Sequence, residues 1–296
     1  MDWQIFGHKR QIKILSQVLK KKTVSHAYLF VGPKFVGKTT IARKFAQALL
    51  CESQNACGEC KQCKMVNQDT NPDLFTIGSN REELTVDAIR QFCYKISLKS
   101  FSAKYKIAII ENAQALKDSA ANAILKTLEE PSLNTVIILI SSNLQSILQT
   151  IRSRSQVISF GYVEQDEYSG VSSSDLERKD LNSILRVSQG RPGLYKKLLH
   201  DEPLIQKFLN FIQVGSELIS ADLITRHLAV QKILDLESDD LEWFLETLIY
   251  QTRKELYQKY TPSSAYNASI LDKTYRYILE KSNSKLILTG LALGLK

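Results

Sequence analysis

The run Ala27-Tyr28-Leu29-Phe30-Val31-Gly32-Pro33-Lys34-Phe35-Val36-Gly37-Lys38-Thr39-Thr40-Ile41 decides the fold. Its first five residues read as a short buried strand, and residues 32–39 fit the pattern G-x-x-x-x-G-K-[ST]. Ile41, Phe45, Ala48 and Leu49 then recur at helical spacing as far as Leu50. In this pattern the glycines let successive backbone amides turn toward phosphate oxygens, and the start of the following helix adds its dipole. Lys38 would meet the outer phosphates and Thr39 would ligate magnesium. Gly32, Pro33, Lys34, Phe35, Val36, Gly37, Lys38, Thr39 and Thr40 are therefore the candidate residues for ATP with Mg2+.

Hydrolysis needs more than a cradle. A metal-positioning acid and a group that activates water are expected at the end of a neighbouring buried strand. The stretch Lys106-Ile107-Ala108-Ile109-Ile110, which reads as a buried strand, ends in Glu111-Asn112. Glu111 stands where the metal-binding acid is expected, one methylene longer than aspartate, and Asn112 stands where the water-activating acid is expected. An amide hydrogen-bonds a water but cannot take its proton, so ATP binding with weak or absent turnover is expected.

Outward from these motifs the first half alternates helix and strand. Residues 5–19 and 86–98 carry helical periodicity, 71–77 and 136–140 read as strands, and the helix over 115–130 is stopped by Pro131. Continuous apolar strands separated by helices predict a parallel sheet covered on both faces, an α/β fold. Residues 161 to about 174 are polar and suit a linker. Beyond them, interrupted at Gly190-Arg191-Pro192-Gly193, the periodicity is purely helical.

Cys51, Cys57, Cys60 and Cys63 fall within thirteen residues and can supply four thiolates, the number a closed tetrahedral zinc site needs. A structural Zn2+ is expected. An iron-sulfur cluster and free thiols are the alternatives, and the run lacks the C-x-x-x-C-P ending of many iron-sulfur proteins. Cys93 stands apart and reads as a small buried residue.

At 296 residues the chain suggests two or three domains, and its 44% apolar and 24% charged composition is that of a globular protein. No apolar run approaches a membrane span, and Met1-Asp2-Trp3-Gln4 lacks a signal-peptide pattern. No membrane partner and a cytoplasmic location are therefore expected. The net charge of +8 favours a polyanion, with basic clusters at Lys9, Arg10, Lys13, Lys20-Lys21-Lys22 and at Lys99, Lys104, Lys106. Solvated helix faces explain these clusters as well as DNA phosphates do.

Two further stretches carry a family resemblance. Ser119-Ala120-Ala121-Asn122-Ala123-Ile124-Leu125-Lys126-Thr127-Leu128-Glu129-Glu130-Pro131 is similar to a signature of bacterial sliding-clamp loaders, and Arg152-Ser153-Arg154-Ser155 resembles their Ser-Arg-Cys motif. With the cysteine cluster where a zinc module is inserted, the chain resembles the AAA+ ATPases of the DNA polymerase III clamp loader, most closely their delta prime type. The resemblance is specific over residues 3–160 and architectural beyond.

It implies an AAA+ P-loop domain over 1–161 with the zinc module at about 51–63, a helical lid over 162–202 and an all-α collar over 203–296. Arg154 would be an arginine finger acting on a neighbour's ATP, with Ser155 in place of the cysteine. Ser142 and Asn143 would form a first sensor of the terminal phosphate. A sensor arginine of the motor subunits is replaced by Gly193, which with Asn112 favours the delta prime type.

The implied partners are gamma/tau and delta subunits, the sliding clamp and, through the complex, primed DNA. The chain would thus be a component of the DNA-directed DNA polymerase III holoenzyme. Two alternatives remain at this point: a hydrolysing gamma/tau-type ATPase, and a zinc-bearing nucleic-acid-binding module with a vestigial ATP site. For the latter the sequence lacks a pronounced basic-aromatic stretch.

Overall fold

The computed structural model describes residues 3, 5–79, 83–101, 103–168, 178–279 and 283–295. They divide into two compact units, residues 1–171 with 190–194, and residues 172–189 with 195–296.

The first unit opens with α1 (Lys9–Lys21), followed by β1 (Ala27–Val31), α2 (Lys38–Leu50), α3 (Lys61–Asn67) and β2 (Leu74–Ile77). It continues through α4 (Val86–Ser97), β3 (Lys106–Ile110), α5 (Asp118–Glu129), β4 (Thr135–Ser141), α6 (Gln149–Ser153) and β5 (Gln156–Ser159). The sheet order is β2-β3-β4-β1-β5 with every neighbouring pair parallel. Period-two alternation splits the apolar strands between two cores. Tyr28, Phe30, Ile107, Ile109, Val136 and Ile138 pack with Leu15, Phe45 and Leu49 of α1 and α2. Leu29, Ala108, Ile110, Ile137 and Leu139 pack with Ile89, Phe92, Ile124 and Leu128 of α4 and α5. Helices on both faces make this the doubly covered sheet that the apolar runs require.

Several boundaries differ from the periodic reading for local reasons. Helix α1 starts at Lys9 because Gly7 and His8 take left-handed backbone, φ 70° and 54°. Strand β2 begins only at Leu74, because the Asn71 side chain accepts the Asp73 amide and holds the preceding residues in a turn. The sequence reading misses β5, whose residues are exposed except for Ile158. An edge strand beside β1 needs no continuous apolar run. Lys106 is buried rather than part of a basic surface: its ammonium donates to Lys95 O at 3.2 Å and Leu98 O at 2.7 Å, satisfying carbonyls at the end of α4. Of the expected linker, residues 169–174 lie outside the described residues.

Beyond the sheet come α7 (Arg178–Ser188), α8 (Pro192–Leu198), α9 (Glu202–Ser220), α10 (Leu223–Leu234), α11 (Ser238–Gln258), α12 (Pro262–Leu279) and α13 (Ser284–Gly294). The second unit is built from these helices apart from the first residues of α8. Its core pairs Phe208 and Phe211 of α9 with Trp243 and Phe244 of α11, at ring centroid separations of 5.7 Å in both pairs. Asp201, Asp222 and Asn283 accept the amide three residues on and so start α9, α10 and α13. Among the described residues no helix is long and apolar enough to cross a membrane.

Candidate functional site

The C-terminal ends of β1, β3 and β4 open onto a cavity of about 360 Å³, a small-ligand size. Its lining brings together Lys34, Phe35, Gly37, Lys38, Thr39 and Thr40 of the loop with Glu111, Asn112, Gln114, Ser142 and Gly193. Gly32, Pro33 and Val36 belong to the same loop without lining the cavity. Gly32 pairs as an extension of β1, donating to Ser141 O at 3.2 Å, and a Cβ there would lie 2.1 Å from Phe160 O. Only glycine fits that approach.

The loop is held from several sides. The buried Lys38 ammonium donates to Gly32 O at 2.5 Å and Pro33 O at 2.6 Å. His8 Nε2 lies 2.8 Å from Val36 O, and burial lowers the histidine pKa, favouring the neutral ring that donates through Nε2. Gly193 N donates to Phe35 O at 2.8 Å. A Cβ on Gly193 would stand 2.7 Å from that same carbonyl oxygen, so glycine here lets the 190–194 segment touch the loop. The residue expected to carry a sensor arginine instead provides a backbone clasp.

Glu111 and Thr39 both line the cavity, the hydroxyl and carboxylate that magnesium would need beside the phosphates. Burial raises the Glu111 pKa, opposed by the Arg43 charge and the Thr39 hydroxyl. A carboxyl whose pKa is raised by folding adds stability when protonated, and that contribution is lost as pH rises through the folded value. Glu111→Gln is therefore expected to raise the melting temperature of the nucleotide-free protein at about pH 7 but not near pH 4. Thermal melts across that range check this, and an equal shift at both ends would count against it.

Asn112 is tied down rather than poised. Its backbone is left-handed at φ 52°, a conformation asparagine tolerates. Nδ2 donates to Gly78 O at 2.9 Å, Oδ1 receives Gln114 Nε2 at 3.4 Å, and Gln114 Oε1 accepts Ser142 N at 3.2 Å. These amides strap together the ends of β2, β3 and β4. Asn143 stands outside the cavity lining: its Oδ1 accepts Gln145 N at 2.9 Å and its N donates to Ser141 Oγ at 3.1 Å, which shapes the turn after β4. Sequence reasoning missed Gln114 and His8. The one signal for His8 was the Gly7-His8 pair before α1.

Away from the cavity, the four cysteine sulfurs lie within 4.8 Å of one another. The Cys51–Cys57, Cys57–Cys63 and Cys60–Cys51 separations are 3.6, 3.9 and 3.9 Å. A tetrahedron with Zn–S bonds of about 2.3 Å has edges of about 3.8 Å, so the cluster fits zinc. The amides of Cys60 and Cys63 point at Cys57 and Cys60 sulfurs, both at 3.4 Å. Backbone amides of Cys60 and Glu59 lower the Cys57 pKa, favouring the thiolate a metal binds. Gln47 of α2, itself buried, donates to Cys63 O at 3.2 Å and to Asn67 Oδ1 at 2.9 Å, anchoring the module on the helix that leaves the P-loop.

Arg154 caps α6 just before β5 and is partly exposed. Its guanidinium pairs with Glu129 at 2.7 Å and donates to Thr150 O at 3.1 Å.

The chain is similar to several known proteins. The family described as DNA polymerase III, delta subunit matches residues 7–164. DNA polymerase III subunit delta' of Pseudomonas aeruginosa is 31% identical over 227 residues, covering 74% of this chain and 69% of that relative. The delta' subunit of Bacillus subtilis is 35% identical over 51% of this chain and 46% of its own length. The tau subunit of the same organism is 36% identical over 53% of this chain but only 28% of its own. The chain thus spans less than half of each Bacillus relative. A gamma-subunit-related crystal structure from Thermotoga maritima aligns over 94% of this chain and 97% of its own at 18% identity, with a TM-score of 0.43. With the family match covering more than half its length, the chain belongs to the DNA polymerase III delta-subunit family, as a clamp-loader subunit of the delta' type.

Proposed function

We propose that this chain holds nucleotide without turning it over and presents Arg154 to the ATP site of a neighbouring gamma/tau-type subunit, helping load the sliding clamp onto primed DNA. The observation that carries this reading is where the two motifs fall on parallel strands. The P-loop follows the end of β1 and Arg154 precedes the start of β5, with Tyr28 opposite Gln156 and Val31 opposite Ser159. At about 3.3 Å per residue, this register supports a separation of roughly 15–20 Å between the Arg154 backbone and the chain's own loop along the strand direction, longer than an arginine side chain. A finger so placed serves another molecule. In the neighbour's site its planar fork would stabilise charge building on the transferred phosphoryl group.

In its own cavity the loop amides and Lys38 would bind the phosphates, and Thr39 with Glu111 would hold Mg2+, whose contribution is to neutralise phosphate charge. Asn112 takes no proton from water, and its amide is already engaged with Gly78 and Gln114. The four cysteines would hold a structural zinc with no open position for substrate. Residues 162–202 would act as the lid and 203–296 as the ring-forming collar.

ATP with magnesium at about one hundred times its Kd is expected to stabilise the isolated protein by about 2.7 kcal/mol, while phosphate release stays at background. Turnover should appear only after gamma-type and delta subunits, clamp and primed DNA are added. Strong hydrolysis by the isolated chain would sink the holder reading in favour of a motor subunit. Tight, salt-sensitive DNA binding without partners would favour the vestigial-site reading.

A further inference from the structure

We infer that Glu129 is the positioning residue that fixes the Arg154 guanidinium for its task, an inference resting on the finger reading above. A carboxylate in the last turn of a helix opposes the helix dipole, and Glu129 is the final residue of α5. Helix stability therefore does not explain it, since a lysine or arginine would serve better there. What Glu129 does contact is Arg154, with Oε1 2.7 Å from Nη2. The second anchor comes from the other terminal nitrogen, Nη1, which donates to Thr150 O at 3.1 Å and approaches Ser153 Oγ at 3.4 Å.

Two anchors on two terminal nitrogens set the plane of the guanidinium as well as its location. Arginine carries five donors, so this arrangement leaves others for a phosphate oxygen across an interface. The pair is part-exposed, at 37% for Arg154 and 50% for Glu129. A pair this wet adds little to folding. Its value lies in restricting a side chain that would otherwise sample many rotamers.

The test uses the assembled loader with gamma-type and delta subunits, clamp and primed DNA, measuring kcat and KM for ATP. Glu129→Ala is expected to lower kcat about fivefold with KM within about twofold, and to add nothing in an Arg154→Ala background. Glu129→Gln, whose amide oxygen still accepts from Nη2, is expected to recover most of the loss. Wild-type kcat in Glu129→Ala alongside a deep loss in Arg154→Ala overturns the positioning role and leaves the finger standing. An equal loss in both backgrounds also overturns it, because Glu129 would then act elsewhere. Wild-type turnover in Arg154→Ala removes the finger reading, and this inference with it. Should Glu129→Ala fail to assemble, Glu129→Asp keeps the charge and withdraws the oxygen by one methylene. A loss of about two- to threefold in kcat is then expected, and unchanged kcat overturns the proposal.

Discussion

Arg154→Ala is expected to lower ATP turnover by the assembled clamp loader by about a thousandfold at the site it serves, with assembly intact. The size of the effect follows from the chemistry: charge accumulates on the transferred phosphoryl group, and a rigid cation supplied from across an interface stabilises that charge only in the transition state. Folding should hardly register the change. Arg154 makes a part-exposed ion pair with Glu129 and one bond to a backbone carbonyl, and exposed pairs of this kind contribute about 0–1 kcal/mol. Lysine should not substitute, because an ammonium cannot reproduce the planar fork that meets Glu129 and Thr150 O from two nitrogens. Single-turnover ATPase assays on reconstituted complexes, with gel filtration to verify assembly, decide the matter. Turnover at the wild-type rate in every site would end the assignment.

The second large effect concerns the thiolate cluster. About one zinc per chain is expected in the purified protein, and a chelator strong enough to remove it should unfold residues 51–69 while leaving the sheet intact. Apparent binding energies for structural zinc in small peptides run to about 10–16 kcal/mol, far more than the apolar contacts of so short a module can replace. Cys57→Ser is the discriminating variant. Cys57 is exposed, so the substitution removes no packing, whereas Cys63 is fully buried and its loss would confound metal binding with core damage. Zinc content falling together with amide protection over α3 is the expected result. Full protection in a metal-free preparation would show that the cysteines are held by packing alone.

The sequence revealed the sheet wherever strands were buried on both faces, since Ala27–Val31, all of Lys106–Ile110 but its first residue, and most of Thr135–Ser141 are unbroken apolar runs. It concealed β5 for the opposite reason: an edge strand with one buried residue carries no such run. The phosphate loop and the cysteines were legible because each motif lies within a few consecutive residues. Gln114 and His8 were not. Gln114 acts only because β4 brings the Ser142 amide beside it, and His8 only because folding carries Val36 O to a residue 28 positions earlier. The sequence shows Asn112 as an amide in place of an acid, but its role as a strap to Gly78 depends on the pairing of β2 with β3. Contacts between distant segments leave no local pattern, and these three residues are defined by such contacts.

Because β1 and β5 run parallel and in register, the chain is directional: on the proposed reading it would offer a cation at one rim of the sheet and a phosphate cradle at the other. Identical surfaces cannot satisfy both, so a pairing that uses them must be head to tail, unlike the two-fold contact of a symmetric dimer. Successive copies or relatives joined this way turn through a fixed angle. Unless that angle closes the circle, the arc has two unlike ends, one with a cradle awaiting a guanidinium and one with a guanidinium awaiting a cradle. A subunit whose own cradle does not consume fuel is suited to the end where no donor arrives. The direction of an assembly would then be written into the pairing of Tyr28 with Gln156.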